Sequence, residues 1–185
     1  TKIVSGTSMP AAYLDFARVY GVRSTSVPLT VGWTRDDRDS ALVPTVGRLQ
    51  KVQSEIGIAA DTRYVRANYQ FQQYIPLNRQ FTVAFNADVG WGKGLGGRPF
   101  PVFKNFFGGG LGSVRGFDQG TLGERDITGA FIGGPKKVGF STELLAPFPG
   151  AGNDRTLRVF GFFDVGNVYG ENETVELNKM RASVG

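Results

Sequence analysis

The sequence predicts an all-β protein made of short antiparallel strands. Glycine supplies 27 of the 185 residues, about twice its usual share of ~7%. Aromatic residues reach 12%, with 15 Phe. Several stretches alternate apolar and polar side chains with a period of two, which is the mark of a strand with one face against an apolar phase.

The elements follow in order. Residues 9–20 carry the one good helical stretch, with Pro10 placed to open it at the first helical position and Gly21 to stop it. Val27, Leu29, Val31 and Trp33 then alternate with Pro28, Thr30, Gly32 and Thr34. A turn-rich patch at 36–40 leads to a weaker strand at 48–58, with Gln50, Val52, Ser54, Ile56 and Ile58 on one face. In 63–72, Val65, Ala67, Tyr69 and Phe71 alternate with Arg66, Asn68 and Gln70. A turn at 76–79 leads into 81–91, where Phe81, Val83, Phe85, Ala87, Val89 and Trp91 oppose Thr82, Ala84, Asn86, Asp88 and Gly90. Residues 92–136 break the pattern as one long glycine-rich loop, and loops of that length are usually functional. Strands resume at 137–145 and 156–168, and residues 179–185 read as a strand that has been cut. Together the runs amount to about seven strands, several near the roughly 9–11 residues that cross a bilayer. A soluble β-sandwich also alternates, so the period alone leaves barrel and sandwich both open.

Composition excludes several chemistries. With no His and no Cys there is no Ser-His-Asp triad, no thiolate nucleophile, no disulfide framework and no histidine-based zinc site. The net charge of +5 comes from scattered Lys and Arg without a basic stripe, which argues against nucleic acid. No run approaches the ~18 apolar residues of a membrane helix. Nor is a signal peptide visible, and the chain starts and ends mid-pattern, as a cut fragment would.

Three short motifs carry no function. Gly92-Lys93-Gly94-Leu95-Gly96-Gly97 fits G-x-G-x-x-G, but Arg98-Pro99-Phe100 follows where a dinucleotide site needs a helix, so a mobile loop is the reading. Asn172-Glu173-Thr174 is a chance sequon. Glu143 and Asp164 could pair as hydrolytic carboxylates, yet nothing else supports a sugar site.

The informative segment runs from Phe103 to Phe117, where a flexible Phe- and Gly-rich lead-in ends on one Arg among small and apolar residues. It resembles the long sixth extracellular loop of the BamA family of outer-membrane insertases, within the bacterial surface antigen superfamily. The family's Val-Arg-Gly-Phe tip stands here as Val114-Arg115-Gly116-Phe117, followed by Asp118-Gln119-Gly120-Thr121-Leu122-Gly123. Other segments match in order: Gly32-Trp33-Thr34-Arg35-Asp36 with its return Pro44-Thr45-Val46-Gly47-Arg48, then Phe140-Ser141-Thr142-Glu143-Leu144, and the F-x-D-x-G element Phe162-Phe163-Asp164-Val165-Gly166. The helix at 9–20 resembles one in the family's preceding extracellular loop.

The resemblance implies a partial C-terminal barrel domain over 1–185: a transmembrane antiparallel β-barrel whose long extracellular loop is inserted into the lumen. Within it, 1–26 would be an extracellular loop with a short helix, 27–91 strands, 92–136 the long loop and 137–185 strands. It also implies a place in the bacterial outer membrane and a role in folding and inserting barrel proteins, without enzymatic activity or cofactor. The implied partners are the outer-membrane lipid bilayer, unfolded outer-membrane protein substrates and assembly lipoproteins reached through periplasmic POTRA domains, with no nucleic acid. The family's POTRA domains and its first and last strands, which form a lateral seam, have no counterpart in these residues. A two-partner secretion transporter of the same superfamily, a passive porin and a soluble β-sandwich binding module stand as alternatives.

The residues add a prediction of their own. In phase with the alternation, Glu143 and Asp164 fall on the polar face, opposite Phe81, Val83 and Phe85, and together with Asn86 and Asp88. Two carboxylates on one face invite a guanidinium, which bonds both through its fork of donors. Arg115 is the candidate, carried back onto the wall by glycines 108–110 and 112, whereas its neighbour Arg125 has no assigned partner. The sheet itself should remain open, because barrels of this kind begin at about eight strands.

Overall fold

A computed structural model describes residues 10–21, 27–58, 62–150 and 156–185. Of the predicted 1–26 segment, 1–9 and 22–26 lie outside the described residues. The helix α1 spans Ala11–Tyr20. Pro10 precedes it as the N-cap rather than occupying the first helical position, and Gly21, at φ 91°, ends it.

Among the described residues, seven strands form one antiparallel sheet: β1 (Pro28–Asp36), β2 (Gly47–Gly57), β3 (Tyr64–Pro76), β4 (Thr82–Gly94), β7 (Lys136–Pro147), β8 (Arg158–Tyr169) and β9 (Arg181–Val184). The sheet is open, with β1 and β9 at its two edges. Between β4 and β7 the chain leaves the sheet and returns to it. That excursion contains a 3-10 turn at Val102–Lys104 and a small ribbon, β5 (Glu124–Arg125) with β6 (Phe131–Gly133), where the sequence predicted an unbroken loop. The β4 pattern also runs further than expected: Gly92 and Gly94 belong to the strand, and no helix opens after them.

Register assigns the faces, because directly opposed residues of antiparallel strands point the same way. Val83 faces Leu144, Phe85 faces Thr142, Ala87 faces Phe140 and Val89 faces Val138 on the outer side. One residue out of phase, Asn86 faces Ser141, which faces Asp164, which faces Ser183. In the next inner row Ala84 faces Glu143, which faces Phe162. The carboxylates and the Phe81–Phe85 set therefore lie on opposite faces. Exposure agrees: Leu29, Val31, Trp33, Phe85, Trp91, Phe140, Leu144 and Phe163 are all exposed on the outer face. From Phe81 to Val89 the outer apolar run covers about 27 Å along the strand. At a strand tilt near 40° that is roughly 20 Å of depth, close to the ~25 Å apolar band of an outer-membrane barrel.

Candidate functional site

The long excursion lies against the inner face, attached at a root and at a tip. At the root, two glycines of β4 leave room for two rings of the loop. A Cβ at Gly90 would stand 2.7 Å from the Phe106 ring, and one at Gly92 would stand 2.5 Å from the Phe100 ring. The Arg66 guanidinium covers Phe106 at 4.1 Å. Lys104 Nζ donates to Glu55 Oε1 of β2 at 2.6 Å, and the Tyr64 hydroxyl donates to the same carboxylate. Partial burial works against the Lys104 charge, but the bonds to Glu55 and Tyr64 outweigh it and its pKa is raised.

At the tip, the two inner rows converge on Arg115. Its Nε donates to Asp164 Oδ2 at 2.7 Å and its Nη2 to Asp164 Oδ1 at 2.6 Å, a two-pronged pair. Nη1 reaches Glu143 Oε1 at 2.7 Å, and Nη2 also meets Ser141 Oγ at 2.8 Å. The backbone N–H of Arg115 adds a bond to Asp164 Oδ2 at 2.9 Å. The flat face of the guanidinium stacks over Phe162 at 3.9 Å, with Phe160 at 5.5 Å. Burial grades the partners: the Asp164 side chain is 0% exposed, Arg115 12% and Glu143 21%. The hydrogen bonds to Asp164, with those to Glu143 behind them, raise the pKa of Arg115 beyond its already high range, so it is a fixed cation.

The chain around Arg115 is shaped to deliver it. Val114 is buried with Leu122 and Val168, and Phe117 packs against that cluster. Gly116 turns the chain at φ 88°, a conformation that costs other residues about 1–2 kcal/mol. Of the glycines expected to fold the loop back, Gly109 and Gly110 do so with positive φ, whereas Gly108 and Gly112 do not. Arg125, read from sequence as unpartnered, lies over the Phe131 ring at 4.0 Å in the β5–β6 ribbon. The structure thus brings Arg115, Asp164 and Glu143 together and keeps Arg125 apart from them.

The sequence reading did not find Ser141, Phe162, Lys104 or Glu55 as members of this arrangement. Phe162 carried a signal nonetheless, since an aromatic in phase with Asp164 stands on the polar face and needs a partner there. A polar cavity of about 350 Å³ adjoins the tip, lined by Gln70, Gln72, Tyr74, Asn86, Glu143 and Leu111.

An open, antiparallel sheet with an apolar outer face, and with its own loop tied into the polar inner face, is a segment of an outer-membrane transmembrane β-barrel. The chain belongs to the Omp85 superfamily, whose domain matches residues 10–185. It is 40% identical over 190 residues to the outer membrane protein assembly factor BamA of Neisseria meningitidis, covering 95% of this chain and 24% of that protein. It is 28% identical over 160 residues to the human sorting and assembly machinery component 50 homolog, covering 78% of this chain and 33% of the relative. The crystal structure of Haemophilus ducreyi BamA lacking POTRA domains 1–3 superposes with a TM-score of 0.83 over 98% of this chain and 41% of that one, at 22% identity. The chain thus spans about a quarter to a third of the curated relatives' length.

Proposed function

We propose that the protein carrying this chain folds and inserts β-barrel proteins into the outer membrane, and that the Arg115 contact holds the barrel in its working form. The single observation that carries this reading is the tie of the loop tip onto β7 and β8 in an Omp85 barrel. The matched relatives, named as an outer membrane protein assembly factor and as a sorting and assembly machinery component, support it. The work would be non-enzymatic, without cofactor: precursor strands pair with an exposed strand edge, so that backbone hydrogen bonds give affinity with little demand on sequence. The partners would be the lipid bilayer, unfolded barrel precursors and periplasmic assembly lipoproteins. The test is depletion of the intact protein in its host, with complementation by the wild type or by Arg115→Ala. Folded levels of a reporter barrel should be restored by the first and remain low with the second. Restoration of a secreted substrate without restoration of the barrel reporter would identify an exporter instead.

A further inference from the structure

The turn between β1 and β2 has a place that the strand pattern does not require. A hairpin turn normally stays beside its own two strands. Here the pairing continues past the strand ends, with Asp37 N–H donating to Arg48 O at 2.8 Å and Asp39 N–H to Val46 O at 3.1 Å. The remaining residues are braced from within: Asp39 accepts from the Thr45 amide at 2.9 Å, the Thr45 hydroxyl at 2.5 Å and the Val46 amide at 3.2 Å, and Ser40 Oγ accepts from the Val43 amide at 3.1 Å. The base of this stiff turn is pinned to the inner face of β3, where Arg38 Nη1 donates to Gln72 Oε1 at 3.2 Å.

The far side of the turn is pinned to a different wall. Arg158, on the inner face of β8, donates through Nη1 to the Pro44 carbonyl at 2.9 Å and through Nη2 to the Val43 carbonyl at 3.4 Å. Four strand-to-strand steps separate β2 from β8 in the sheet. At about 4.8 Å each, that is roughly 19 Å along the wall. An Arg side chain covers only part of this distance, so the turn itself must lean inward across the chord. Pro44 is buried there, while Leu42 at the turn's apex is 92% exposed. The long loop enters the lumen from the opposite end, since α1, the β2–β3 and β8–β9 connections and the excursion all lie at the other ends of these strands.

We infer that residues 39–46 form a plug over this mouth of the lumen, latched to β8 by Arg158, and that the latch keeps the barrel closed to ions and small solutes. The inference rests on the barrel architecture and not on the assembly activity. Main-chain carbonyls are the acceptors, so the latch is set by the shape of the turn, and its one replaceable member is Arg158.

The test uses the intact protein reconstituted in planar bilayers. Arg158→Ala should raise the conductance several-fold over wild type while the barrel keeps its heat-modifiable shift on gels. Arg158→Lys, with a single ammonium reaching one carbonyl, should fall between the two. In cells the Ala variant should admit large antibiotics while assembling the reporter barrel at the wild-type level, which separates loss of the seal from loss of assembly. Conductance of Arg158→Ala equal to wild type would overturn the plug. If that variant does not fold, a photo-crosslinking residue at Val43 in an otherwise wild-type protein decides the matter. Capture on residues 158–162 supports the latch, and capture only on β1–β3 overturns it.

Discussion

Arg115→Ala is the perturbation that most directly tests the loop tip. It deletes two bonds to Asp164, one to Glu143, one to Ser141 and the stacking on Phe162. Adding these singly would overcount, because they share one guanidinium. The governing term is what stays behind: Asp164 is fully buried and would keep only the backbone N–H of residue 115 and its neighbours in the wall. Removing one partner of a buried ion pair costs about 3–5 kcal/mol. At about 1.4 kcal/mol per factor of ten, this lowers the docked-to-undocked ratio of the tip by roughly two to three and a half orders of magnitude. The assay is the temperature at which the intact barrel loses its compact form on semi-native gels, read beside Arg125→Ala. The latter loses one exposed cation–π contact worth about 0.5–1 kcal/mol. Arg115→Ala should melt well below Arg125→Ala, and Arg115→Lys should recover only part of the difference, since an ammonium cannot fork across Asp164 and Glu143. Equal melting of Arg115→Ala and Arg125→Ala would refute the reasoning.

Other expectations follow from neighbouring contacts. Phe162→Leu keeps the ion pairs and removes the stacked ring, so the loss should be about 1–2 kcal/mol and the gel midpoint should lie between wild type and Arg115→Ala. Gly90→Leu pushes into the Phe106 ring, an overpacking of about 1–3 kcal/mol, and should expose Lys104 to trypsin in otherwise folded protein. Asp39, with its carboxyl lowered to about 2 chiefly by the Thr45 hydroxyl, should titrate below the usual carboxylate range. Because its folded pKa is depressed, the turn's extra stability is complete above about pH 4 and is lost as pH falls through about 2. A carbon-13 titration of Asp39 in the intact protein checks this, and a midpoint near 4 would contradict it.

The parts of the fold that could be read from the sequence were those where two different environments face each other across one strand. The run from Phe81 to Trp91 places lipid on one side and a polar interior on the other, so its phase and that of Glu143 and Asp164 could be assigned. The β5–β6 ribbon could not: its strands have two and three residues, too few for a period, and a bridge to the loop root rather than a face holds them. Phe106 and Gly90 illustrate a second limit, since a glycine that makes room for a distant ring looks like any strand glycine. A third is shown by Arg158, which reaches two carbonyls 114 and 115 residues away, acceptors with no side-chain signature at all.

The Arg115 contact also measures how the strands are aligned. Its fork bonds Glu143 of β7 and Asp164 of β8 at once. A one-residue slip between these strands would turn one carboxylate outward toward lipid. A two-residue slip would keep both inside and move one of them by about 7 Å along the wall, setting Glu143 directly opposite Asp164 in one direction and drawing the two apart in the other. A one-residue slip, or the two-residue slip that draws the acids apart, therefore leaves one of them without the guanidinium. The seated loop tip is thus a gauge of the phase in which β7 and β8 are paired.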